Sequence, residues 1–133
     1  MELSQAAAAN AQVRRAFKSG RTRSFEWRTQ QLVALKALLQ KDEGEIAQAL
    51  YQDLGKSPFE SFATEIGPLL NSCDETIKSL KAWMSPQKVS LPLVTLPGSA
   101  SILAEPLGAV LIFSAWNFPI CELQFILYLH ELR

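Results

Sequence analysis

From Glu2 to Met84 apolar side chains recur at three- and four-residue intervals, the period of helices that bury one face. Glu2–Lys18 is alanine-rich, carries Val13 and Phe17 four apart, and ends at Ser19-Gly20, so it predicts an amphipathic helix with a glycine stop. Arg21-Thr22-Arg23 is a short connector. Ser24 opens a second helix whose apolar positions Trp27, Leu32, Leu35, Leu38 and Leu39 carry it to about Gln40. Asp42 with Glu45 three residues on has the form of a capping box for a third helix, which buries Ile46, Ala49 and Leu50 and stops near Leu54-Gly55. Ser57-Pro58 then supplies a cap and a first-turn proline for the longest predicted helix, Phe59–Met84. Its stripe is Phe62, Ile66, Leu69, Leu70, Cys73, Ile77, Leu80 and Trp83, with a kink expected at Gly67-Pro68.

The pattern changes after Met84. Ser85–Pro97 is rich in proline, serine and β-branched residues and reads as an extended linker. Ala100–Ala104 and Ala109–Ala115 read as two short strands around Pro106-Leu107-Gly108, and the unbroken apolar run AVLIFSA has the form of a strand covered on both faces. Ile120–Arg133 is apolar around nearly its whole circumference if helical, and so requires partners on every side. The expected organisation is a helical part over 1–84, linker and first strands over 85–119, and a tail over 120–133.

Composition narrows the function classes. The chain has 133 residues, 48% hydrophobic and 20% charged, enough for one modest core and unlike a disordered protein. Thirteen basic and thirteen acidic side chains balance, which removes the electrostatic case for nucleic acid or an anionic membrane surface. No apolar stretch approaches the ~20 residues that cross a bilayer, and no basic leader precedes an apolar core. Cys73 and Cys121 have neither disulfide-framework nor metal spacing, which fits a reducing compartment and leads to a cytoplasmic expectation.

Asn117 is the candidate with chemistry. It lies just past the carboxyl end of the predicted strand Ala109–Ala115, where open α/β sheets bind ligands, and its amide is suited to donate to a substrate oxygen. The competing reading is a helix cap ahead of Pro119. Cys121 has no basic partner nearby in sequence to activate it, Cys73 falls on an apolar stripe, and His130 has neither triad nor metal company. Glu65, Asp74 and Glu75 read as a solvated helix face, and Arg14, Arg15, Lys18, Arg21 and Arg23 as surface and helix-end charge. No glycine-rich turn of the phosphate-binding kind occurs.

The block Glu105-Pro-Leu-Gly-Ala-Val-Leu-Ile-Phe-Ser-Ala-Trp-Asn-Phe-Pro119 resembles the opening of the cofactor-binding domain of aldehyde dehydrogenases. Ser19-Gly-Arg-Thr-Arg23, Glu26-Trp-Arg28, Gln31-Leu32, Asp53-Leu-Gly-Lys56 and Ala82-Trp-Met84 extend the likeness toward the class 3 branch, especially its plant members, over roughly residues 11–119. The resemblance implies an α/β fold, with N-terminal helices followed by the first strands of an incomplete Rossmann-like cofactor domain. It also implies NAD(P)-dependent oxidation of aldehydes to carboxylic acids. Asn117 would be the oxyanion donor, and the backbone of Ser114, Ala115 and Trp116 would lie against NAD or NADP, packing being the other account of Trp116. The lysine that contacts the cofactor ribose, the glycine-rich turn, the general-base glutamate and the nucleophilic cysteine of the family have no counterpart in these 133 residues, and Ile120–Arg133 departs from the family pattern. The expectation is therefore a form inactive alone, with neither metal nor nucleic acid and with cofactor binding not expected of these residues by themselves. Its alternatives are a non-catalytic partner that pairs with a full-length subunit, class 3 relatives being dimeric, or an unstable product.

Overall fold

The computed structural model describes residues 3–123, and the predictions for the tail beyond Leu123, including His130, lie outside them. Helix α1 spans Leu3–Lys18 and is closed by Gly20 at φ 75°. A 3₁₀ turn over Arg21–Arg23 leads to α2, Phe25–Lys41, whose N-cap Ser24 accepts a hydrogen bond from the Trp27 amide. Helix α3, Glu43–Leu54, ends at Gly55 with φ 70°, the left-handed geometry that glycine adopts without strain. Asp42 occupies the expected N-cap position of α3, but its side chain makes no capping bond.

The predicted long helix is divided. Ser57 caps α4, Pro58–Ser61, by accepting from the Glu60 amide. A π turn over Phe62–Ile66 follows, and α5 then runs from Gly67 to Trp83. Pro68 accounts for the division: it has no N–H to donate four residues back, and its ring crowds the preceding turn. The wider turn absorbs both, with the Gly67 amide reaching the Phe62 carbonyl. That approach is close: a Cβ at Gly67 would lie 3.0 Å from the Phe62 oxygen, so a larger residue would push the turn apart by a few tenths of an ångström.

Helices α2 and α5 form the core through Leu32, Leu39, Leu69, Cys73 and Leu80, with Phe25, Leu35, Ile46 and Ile77 packed around them. Each fully buried large apolar side chain contributes about 1.5–3 kcal/mol. Lys36 also bridges α2 to Asp74 on α5 at 2.6 Å, but this pair is partly exposed and worth ~1 kcal/mol or less, so apolar burial decides the packing. Leu38, expected on the apolar stripe, is 52% exposed, because Leu39 and not its neighbour faces α5.

Within the predicted linker, Gln87–Val89 forms strand β1, which pairs antiparallel with β2, Ala100–Ile102, in the register Gln87↔Ile102. The predicted buried strand Ala109–Ala115 is not found: the segment is extended chain, with Leu111 79% and Phe113 88% exposed. An apolar run of this kind becomes a buried strand only where neighbours cover both faces, and no described element does so. The preceding Ala104–Val110 instead borders a groove of about 520 Å³ beside Val13, Phe17, Trp27, Arg28 and Trp83. The architecture is α/β in the expected sense, with helices followed by a small two-stranded sheet.

Candidate functional site

The chain after the exposed segment turns sharply at Trp116–Ile120 and enters a 3₁₀ turn over Cys121–Leu123. Asn117 lies in this turn with its residue exposed, and its main chain is fixed from the helical part of the molecule. Lys56, in the three-residue connector between α3 and α4, donates from Nζ to the Asn117 carbonyl at 2.8 Å. The same ammonium group bonds Glu65 Oε1 at 2.5 Å and stands 4.1 Å from the centre of the Phe118 ring, a cation–π distance.

Glu65 completes the arrangement. Its Oε2 accepts from two successive backbone amides, Ile120 N–H and Cys121 N–H, each at 2.9 Å. Glu65 is 0% exposed and Lys56 9%, so their charges face each other and the turn with little water between. The expectation of a solvated Glu65 is thus overturned. Asp74 and Glu75 do lie nearer solvent, paired with Lys36 and Lys78.

The sequence carried a signal for this that was not used. Glu65 sits three residues after Phe62 and four before Leu69, on the apolar stripe itself, where a carboxylate requires a partner. Glu65 and Ile66, three and four residues after Phe62, are both fully buried. Lys56 closes the Asp53-Leu-Gly-Lys56 block and follows the left-handed Gly55, so its backbone leaves α3 and enters the space between α4 and the turn.

Cys121 is half-buried, and its thiol is pushed up by burial first, then by the carboxylates of Glu65 and Glu122, with Lys56 acting the other way. A raised thiol pKa lowers the share of reactive thiolate near neutral pH. Cys73 is fully buried in the α5 stripe as expected, and burial raises its pKa as well.

Ser114, Ala115 and Trp116 are exposed, Trp116 at 86%, so packing within the described residues does not explain that aromatic. Among the described residues no cluster of metal-ligating side chains occurs, and no helix is long and apolar enough to cross a membrane.

Helices followed by a small two-stranded sheet, with an Asn-bearing turn beyond it, are what the comparisons must account for. The profile of the aldehyde dehydrogenase family matches residues 1–124, and the chain belongs to that family. It is similar to aldehyde dehydrogenase family 3 member I1, chloroplastic, of Arabidopsis thaliana, at 48% identity over 81% of this chain and 20% of that protein. Similarity to family 3 member H1 of the same plant is 47%, over 81% of this chain and 22% of that protein. Family 3 member B1 of Mus musculus is 45% identical over 82% of this chain and 23% of its own length. Among solved structures, the substrate-bound state of Staphylococcus aureus AldH superposes with a TM-score of 0.84 at 33% identity, covering 92% of this chain and 26% of that one. The chain thus spans about a fifth of the length of the curated relatives it matches.

Proposed function

We propose that these residues serve NAD(P)-dependent oxidation of aldehydes to carboxylic acids by supplying the N-terminal helical part and the oxyanion-binding turn of such an enzyme. The observation that carries this reading is the turn itself. Asn117 stands exposed on a backbone whose carbonyl is held by Lys56 and whose following amides are held by Glu65, as a preorganised hydrogen-bond donor must be. In this reading the Asn117 side-chain amide donates to the oxygen that becomes negative when a thiolate attacks the aldehyde carbon. The attacking cysteine and the water-activating glutamate come from outside these residues. The organisation proposed is a helical part over 1–84, a linker and sheet-forming segment over 85–119, and a distinct tail over 120–133. The cysteine spacing favours a reducing compartment, and we assign the cytoplasm, testable by fractionation.

Two measurements test the reading. The 133-residue chain alone, assayed for NAD(P)⁺-dependent oxidation of a medium-chain aldehyde and for cofactor binding by calorimetry, is expected to give neither. In a chimera that joins this segment to the remainder of the Arabidopsis member I1 protein, Asn117→Ala is expected to lower kcat by about 10²–10³-fold, the usual loss for one oxyanion donor. An unchanged kcat would remove Asn117 from the chemistry.

A second reading rests on the exposed apolar segment. Leu107, Leu111, Phe113 and Trp116 are each at least 79% exposed, a surface that calls for cover. Pairing with a full-length family 3 subunit would supply that cover, making the chain a non-catalytic partner. Co-elution of the tagged chain with such a subunit would support it; separate elution, with self-aggregation of the chain, would favour an unstable product.

A further inference from the structure

Glu65 is a fully buried carboxylate whose bonds leave its own helix. Oε1 accepts from Lys56, and Oε2 from the amides of Ile120 and Cys121, fifty-five and fifty-six residues farther along. Aldehyde oxidation as proposed above assigns neither charged residue a role. Helix packing does not account for them either, since an apolar pair of similar volume serves a helix interface at least as well as a buried ion pair.

We infer that Lys56 and Glu65 are positioning residues that clamp the Trp116–Cys121 turn from both sides and thereby set the direction in which the Asn117 side chain leaves the backbone. The inference rests on the reading of Asn117 as the oxyanion donor. Apolar packing holds only the exit of the turn, where Ile120 rests on the core cluster; Asn117 is exposed and Phe118 is 40% exposed. Beside that packing and the Glu122 amide on the Phe118 carbonyl, three polar anchors fix its path, the Asn117 carbonyl on Lys56 and the Ile120 and Cys121 amides on Glu65. Pro119 stiffens the stretch between the anchors by restricting its own φ. Two successive N–H groups converging on one carboxylate oxygen orient the peptide planes on the exit side of the turn. The Lys56 bond orients the plane that follows Asn117. An oxyanion donor works only when held to within about half an ångström of its productive position, a tolerance that an exposed turn does not reach unaided. Glu65 lies within the π turn, and such turns recur at functional sites.

The test is amide hydrogen exchange and ¹⁵N relaxation on the 133-residue chain, independent of any activity. In the wild type the Ile120 and Cys121 amides are expected downfield and slow to exchange. Glu65→Gln should speed both at least tenfold more than it speeds the amides of Leu39 and Leu69 in α2 and α5, and lower the heteronuclear NOE at Asn117. Lys56→Arg, which retains the charge and the donors, should stay near wild type at Asn117, and Lys56→Met should not. Unchanged exchange at both amides in Glu65→Gln overturns the inference, as does protection lost equally from α2 and α5, or identical behaviour of the two Lys56 variants. The Asn117→Ala chimera fails separately: a clamp without a kcat effect would leave the turn ordered but remove its role in the reaction.

Discussion

Lys56 Nζ donates to the Asn117 carbonyl at 2.8 Å across sixty-one positions of sequence, and so ties the connector after α3 to the turn that ends the apolar segment. The contact joins two blocks of the family likeness, Asp53-Leu-Gly-Lys56 and Trp116-Asn-Phe-Pro119, which are far apart along the chain.

Removing one member of the Lys56–Glu65 pair leaves the other charge buried without its partner. Lys56→Met is therefore expected to destabilise the chain by about 3–5 kcal/mol. Lys78→Met, which breaks the exposed pair with Glu75, should leave the unfolding midpoint close to that of the wild type. Urea unfolding of the two variants beside the wild type checks this, and equal midpoints would show that burial of the pair carries no stability.

Leu38 and Leu39 are adjacent and chemically identical but differ in exposure, 52% against 1%. Leu39→Ala should cost about 2–5 kcal/mol through lost burial and the cavity left behind, and Leu38→Ala less than about 1 kcal/mol. Thermal unfolding followed by circular dichroism distinguishes them, and comparable losses would mean that α2 packs in another rotation.

Gly44 and Gly55 separate helix entropy from backbone strain, because a Cβ at either would meet nothing within 4 Å. Gly44 lies inside α3 without a left-handed φ, so Gly44→Ala should stabilise by up to about 1 kcal/mol. Gly55→Ala, at φ 70°, should destabilise by about 1 kcal/mol. Chemical denaturation of both variants gives the two signs.

The Cys121 thiol should alkylate slowly near neutral pH, its rate still climbing above the pH at which an ordinary cysteine levels off. Burial is the first cause, with the Glu65 and Glu122 charges adding to it. A raised pKa means that the reactive thiolate appears only at higher pH, so removing the Glu65 charge by Glu65→Gln should move the rate profile to lower pH. Iodoacetamide labelling followed by mass spectrometry over pH 7–10 reads the midpoint. A profile that does not move would show that Glu65 is not felt at the sulfur.

Caps, stops and helical periods were legible from short stretches of chain. Ser24, Gly55 and Ser57-Pro58 act where expected, since each works through its own backbone and a neighbour three or four residues away. The two errors share a cause. Glu65 was assigned to solvent and Ala109–Ala115 to a buried strand by pattern alone, yet burial belongs to whatever lies opposite. For Glu65 that is a turn some fifty-five residues downstream; for Ala109–Ala115 no described element covers both faces.

Residue order alone was enough for most of the helices, their caps and stops, and membership of the family, because caps, periods and motif blocks are local in sequence. The burial of Glu65, its bonds to Ile120 and Cys121 and the grip of Lys56 on Asn117 come from the folded chain. Packing brings a distant backbone within 3 Å of a carboxylate that lies in the π turn. No local rule anticipates this, because a hydrogen bond depends on separation in space, and separation in sequence carries little information about it.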